Sequence, residues 1–176
     1  MVEVDLEGVI VFEPPRRQVR QGRQIGESQD LANDNGMDIN GFDLKQPDDV
    51  CDSNGLDENH ARAHFNAVHR DEVKYSDERL LEDLMWMSHE AFKYYLPGFL
   101  KESLNDDYGD IASGTLSAIQ SHLSGPRAHR IRFSQEQCQT LDTWFDLILR
   151  QFGEDDTWGF VPRIAKYRER IWLVDS

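Results

Sequence analysis

Basic charge falls far short of acidic charge in this chain: 19 Lys and Arg stand against 33 Asp and Glu, a net charge of −14. A field of that sign repels nucleic acid and anionic membranes, which disfavours direct binding to either, and it speeds encounter with basic proteins while keeping the chain dispersed. Cysteine is scarce too. Cys51 sits in a polar stretch and Cys138 on a helical apolar stripe, far apart in sequence, so free thiols in a reducing compartment are expected rather than a disulfide framework. No apolar run approaches the roughly 20 residues of a membrane-crossing helix, and Glu3, Asp5 and Glu7 stand where a signal peptide would be basic. A cytoplasmic protein is predicted. There is also no phosphate-cradling glycine loop and no Gly-x-Ser-x-Gly elbow.

What is there suits one modest core: 176 residues, 39% hydrophobic and 30% charged. The acidity is uneven, with 14 acids against 5 bases in residues 1–60, 11 against 6 in 61–125 and 8 against 8 in 126–176. Val2, Val4 and Leu6, then Val9 to Phe12 beyond Glu7-Gly8, predict a short strand or hairpin that Pro14-Pro15 stops. Residues 16–55 are polar, with isolated apolar positions such as Ile39, Phe42 and Leu44, and read as a long loop or a segment that orders only against something else.

Helical signals dominate downstream. Asp57 and Glu58 open a helix with Ala61, Phe65 and Val68 on one face; Ser76, Asp77 and Glu78 cap another carrying Leu80, Leu81, Leu84 and Met85. Asp110 is the expected cap of a helix with Ile111, Thr115, Ala118, Ile119 and Leu123, ended by Gly125-Pro126. Ser134 and Gln137 form a Ser-x-x-Gln capping box ahead of Cys138, Leu141, Trp144, Phe145 and Ile148, and Gly153 closes that helix. A last stretch opened by Pro162 places Ile164, Tyr167 and Ile171 at helical spacing, with Ile171 to Val174 open to a strand instead.

The central segment, residues 88–104, keeps helical spacing through a proline: Phe92, Tyr95, Leu96, Phe99, Leu100 and Leu104 share a stripe around Pro97. Proline lacks the N–H that the Lys93 carbonyl would accept and crowds that carbonyl, so two half-helices meeting at an elbow are expected. Tyr94 and Tyr95 there either pack in the core or line a site. The fold class is therefore mainly α, a small helical bundle with a proline-kinked central helix and a minor N-terminal β element. Its domains are a loop-rich segment (1–57), a helical core (58–152) and a terminal acidic turn with a helix or strand (153–176).

Ala91, Phe92, Tyr94, Tyr95, Leu96 and Pro97, followed by Phe133 and Gln137, resemble the core of an uncharacterised family of small acidic bacterial proteins with an Ala-Phe-x-Tyr-Tyr-Leu-Pro helix. The resemblance covers roughly residues 60–151. It implies a helical architecture and a bacterial origin, and no active site.

Candidate chemistry is sparse. His60 and His64, at i and i+4 with His69 beyond, are weak metal candidates, since no Glu directly follows His60; a solvated helix face accounts for them as well. Asp106, Asp107 and Asp110 form Asp-Asp-x-x-Asp without a facing second cluster, as a helix-capping loop would. Residues 49–58 fail as a calcium loop, because aligning Gly55 puts Val50 and Ala61 at ligand positions. Cys138 has no base beside it, and Ser88-His89-Glu90 is a helix start rather than a triad.

An acidic chain without catalytic apparatus predicts a binding protein with no cofactor: an immunity or inhibitor protein that neutralises a basic partner such as a toxin nuclease. The alternatives are a non-toxin adaptor in a bacterial or phage assembly and a small metal-binding enzyme. The candidate contact residues are Asp106, Asp107 and Asp110, or Glu154, Asp155 and Asp156 beside Trp158, whose indole can anchor an interface, and the N-terminal acidic segment is an equal alternative.

Overall fold

The computed structural model describes residues 37–124 and 129–172, so the predicted N-terminal β element lies outside the described residues. Within them the protein is mainly helical, with no strand. Six α-helices follow in order: α1 (Leu56–Phe65), α2 (Leu80–Asp83), α3 (His89–Ser103), α4 (Asp110–Leu123), α5 (Gln135–Phe152) and α6 (Phe160–Ile171). Single 3-10 turns lie at Arg70–Glu72, Leu84–Trp86 and Gly153–Asp155. No described helix is long and apolar enough to cross a membrane.

Helix α3 is the centre. Ser88 caps it, its Oγ accepting from Ala91 N at 3.2 Å, as the helix-start reading required. Ala91, Phe92, Tyr94, Tyr95, Leu96, Pro97, Phe99, Leu100 and Ser103 are all buried, so the apolar surface is far wider than one stripe. α3 packs on α4, α5 packs on α6, and α4 also meets α2, the Leu84–Trp86 turn and α6. Trp144 of α5 is fully buried and donates from Nε1 to Ser103 Oγ at 2.9 Å, tying α5 to the end of α3.

The expected break at Pro97 is absent, and His89–Ser103 is one helix with Pro97 inside it. Packing explains the difference. Leu96, Pro97 and Phe99 are buried, Phe99 against the rings of Phe65 and Tyr75, and their burial offsets the local preference to break before proline. Three further expectations are corrected. α1 stops at Phe65, short of Val68, because Ala67 takes a left-handed φ of 60°. The helix expected from Ser76 is only the short α2 followed by a 3-10 turn; Arg79 holds its N-cap position with no side chain capping it, and Asp77 Oδ1 accepts from Arg79 N at 3.1 Å just ahead of the helix. Asp110 does not cap α4: Gly109 holds that position.

The polar run from residue 37 to 55 is a loop, as expected, and what it orders against is the bundle. Phe42, Val50 and Cys51 are buried. Thr140 Oγ1 donates to Asn40 O at 3.0 Å, Arg70 Nη1 to Phe42 O at 2.7 Å, and Ser88 N to Val50 O at 2.8 Å. Arg62 grips Asp49 with two bonds of 2.9 and 3.2 Å, holding the Asp49 carboxyl below its ordinary range.

The predicted capping box opens α5: Ser134 Oγ accepts from Gln137 N at 3.2 Å, and Gln137 Oε1 accepts from Ser134 N at 3.0 Å. The same glutamine donates from Nε2 to Gly41 O at 2.8 Å. Ser134→Ala is expected to lower stability by about 1 kcal/mol in urea unfolding. Gln137→Ala keeps the backbone bond to Ser134 Oγ but removes the return bond of the box and the tie to the loop together, for about 2 kcal/mol. Equal costs for the two variants would show that the tie to Gly41 contributes nothing.

Candidate functional site

Two acidic turns, separated by α4 and α5 in the chain, meet at one place on the surface. The first joins α3 to α4. Asp106 accepts from Tyr108 N with Oδ1 at 3.0 Å and from Ile111 N with Oδ2 at 2.8 Å, which makes it the carboxylate that satisfies the open amides at the start of α4. Gly109 takes a φ of 81° there, and a Cβ on it would lie 3.1 Å from the Trp158 ring. The second turn joins α5 to α6. Asp156 accepts from Phe160 N and, at 3.2 Å, from Val161 N, capping α6.

The turns are tied to each other. Trp158 Nε1 donates to Tyr108 O at 2.8 Å, and Gln151 Nε2 donates to Asp106 O at 3.3 Å. Their outer surface carries Tyr108, 80% exposed, with Trp158 at 40% and Val161 at 47%. Asp107 and Glu154 are exposed and Asp110 is half-buried in the first turn of α4, while no Lys or Arg occurs in residues 105–110 or 153–161. An apolar surface with two aromatic rings among carboxylates can take up a basic segment by burying its alkyl stems and pairing its charges.

Of the residues singled out in the sequence, Asp107, Asp110, Glu154 and Trp158 thus share a surface, whereas the Asp106 and Asp156 carboxylates are engaged by backbone amides. Asp155 contributes backbone to the Gly153–Asp155 turn. Tyr108 was not singled out. Its signal was a single aromatic inside Asp-Asp-Tyr-Gly-Asp, whose glycine forces a tight turn that turns the ring outward.

Of the remaining candidates, His64 and Cys138 are held by structural partners. His60 is exposed, and His64 Nδ1 lies 2.6 Å from the buried Asp83 Oδ2, so the two imidazoles are not joined at one site. Among the described residues no group of three His, Cys, Asp or Glu side chains is placed to hold a metal ion. The Cys138 thiol is buried and donates to Ile171 O at 3.0 Å, and burial pushes its pKa up.

Tyr94 and Tyr95 pack in the core. The Tyr95 hydroxyl lies 2.9 Å from Phe65 O and 2.7 Å from Val68 O, closing the turn after α1, and Tyr94 OH accepts from Arg70 N at 3.4 Å. Burial, with Tyr94 beside it, pushes Tyr95 up to about 12. A cleft of about 580 Å³ does lie beside Pro97 and Gly98, lined also by Phe42, Tyr75, Arg70 and Lys101. Arg70 within it is committed to Phe42 O and to the Tyr94 ring, 5.4 Å away.

No family model, no curated protein and no solved structure matches this chain.

Proposed function

We propose that this is an acidic immunity or inhibitor protein that binds a basic protein, such as a toxin nuclease, through the surface formed by Asp107, Tyr108, Asp110, Glu154 and Trp158. The observation that carries this reading is the Trp158–Tyr108 hydrogen bond of 2.8 Å, which joins two acidic turns distant in sequence into one surface with exposed aromatic rings. The net charge of −14 steers a basic partner toward it from a distance, and the rings supply the buried contact that charge alone does not. The resemblance to a family of small acidic bacterial proteins agrees with a bacterial setting for such a pair.

Pull-down from native lysate with wild type and with a Tyr108→Ala, Asp107→Lys, Glu154→Lys triple variant tests the assignment. The expected result is recovery of one basic, toxic protein by the wild type, with affinity lowered about 30-fold by Tyr108→Ala alone and lost in the triple variant. Recovery of a multi-subunit machine without toxic activity would favour the adaptor instead. Undiminished capture by the triple variant would place the interface elsewhere.

A further inference from the structure

His122 occupies the last turn of α4 and joins four parts of the chain. Its ring stacks on Phe92 of α3, with centroids 4.0 Å apart and planes inclined by 25°. Its Nε2 lies 2.8 Å from Leu84 O in the turn that follows α2. Its own carbonyl accepts from Ile131 N at 3.0 Å, tying Ile131 to the end of α4. The ring is 7% exposed. Since Nε2 faces a carbonyl, it carries the proton, and a second proton has only Nδ1 to go to.

The surroundings are poor in negative charge. From α3 the His89 ring meets His122 edge-on at 5.4 Å, and Lys93 lies one turn further along. The segment beyond α4 brings His129 near His89, with Arg130 and Arg132 flanking Ile131. The loop before α1 supplies Asp52, the carboxylate that acts on His89, while Glu90 on α3 acts on Lys93. Asp83, next to Leu84 in the chain, is held by His64. The end of the α4 dipole favours a cation on His122, but among the described residues the Leu84 carbonyl is the ring's one hydrogen-bond partner.

The geometry points to an acid-released latch: protonation of His122 separates the end of α4 from Phe92 and Leu84 and frees the segment at Ile131, while the rest of the bundle stays folded. The direction follows from linkage. Burial, reinforced by His89 and opposed by the Leu84 bond, holds His122 down to about 4, against an ordinary 6.5 once the latch is open. The open form therefore binds the extra proton between those values. The latch is closed above about pH 6.5 and is progressively lost as pH falls toward 4.

Amide exchange tests this in the intact chain. The protection factor of Ile131 N–H, corrected for the intrinsic effect of pH, is expected to fall roughly thirtyfold between pH 7.5 and 5.0, with α5 amides unchanged. His122→Gln, whose amide can still donate to the Leu84 carbonyl, is expected to abolish that fall. An equal fall in the variant, simultaneous loss of protection in α5, or no fall in the wild type would overturn the latch. NMR titration of the wild-type imidazoles decides the matter without a variant. A His122 ring that titrates at an ordinary midpoint while Ile131 stays protected is incompatible with it.

Discussion

Phe92→Ala is expected to destabilise the protein by about 3–5 kcal/mol, read as a lower urea midpoint at unchanged slope. The ring is fully buried at the point where α3 meets α4. Truncation removes its transfer free energy and leaves a cavity that stiff neighbouring helices fill only in part. For a domain of this size, with a total stability on the order of 5–15 kcal/mol, that is about a fifth or more of what holds it folded. A cost near zero would mean that this face is an exposed binding surface, contrary to its burial. The variant has a second readout, because Phe92 is the wall that keeps water from His122. With the wall gone, the imidazole gains hydration and its pKa rises from about 4 toward 6.5. Phe92→Leu, which keeps most of the volume, is expected to cost less than about 2 kcal/mol and to leave His122 depressed.

Where a signal is local, the sequence is legible. The capping box at Ser134 and Gln137 is two residues three apart, with reciprocal bonds that need nothing beyond one helical turn, and it stands as predicted. The α3 stripe is equally local, and its residues are buried as the spacing requires. Pro97 shows where this fails. The propensity to break is a property of the dipeptide, but continuity is decided by burial around Leu96, Pro97 and Phe99, which the sequence does not display. The α4 cap fails for a related reason: Asp110 and Asp106 are both carboxylates near the helix start, and only the turn made by Gly109 determines which one faces the open amides. The candidate surface was visible as two separate acidic turns. Their meeting depends on how α4 packs against α6 across the bundle, a non-local fact with no marker in either turn, and so Tyr108 went unseen beside Trp158.

A glycine inside α3 carries the other large expectation. Gly98→Ala would by propensity strengthen a helix by about 1 kcal/mol. In this protein a Cβ at Gly98 would lie 2.0 Å from Cζ of Tyr75, whose ring rests on the bare backbone. That ring is not free to swing aside. Its hydroxyl donates to Arg70 O at 2.8 Å, and its face meets the edge of Phe99, or the reverse, at 4.7 Å and 86°. Burial also pushes the Tyr75 hydroxyl pKa well above the ordinary 10. Displacing the ring forfeits the hydrogen bond, the aromatic pair and part of its buried area, together about 3–4 kcal/mol. Set against the propensity gain, Gly98→Ala is therefore expected to destabilise the fold by about 2–3 kcal/mol. The cause can be isolated by removing the obstacle. In a Tyr75→Ala background the ring atoms nearest the added Cβ are gone, so the effect of the same substitution should change sign and become stabilising by up to about 1 kcal/mol. Additive costs in that cycle would show that Tyr75 does not rest on Gly98, and that the glycine is required for some reason other than the approach of this ring.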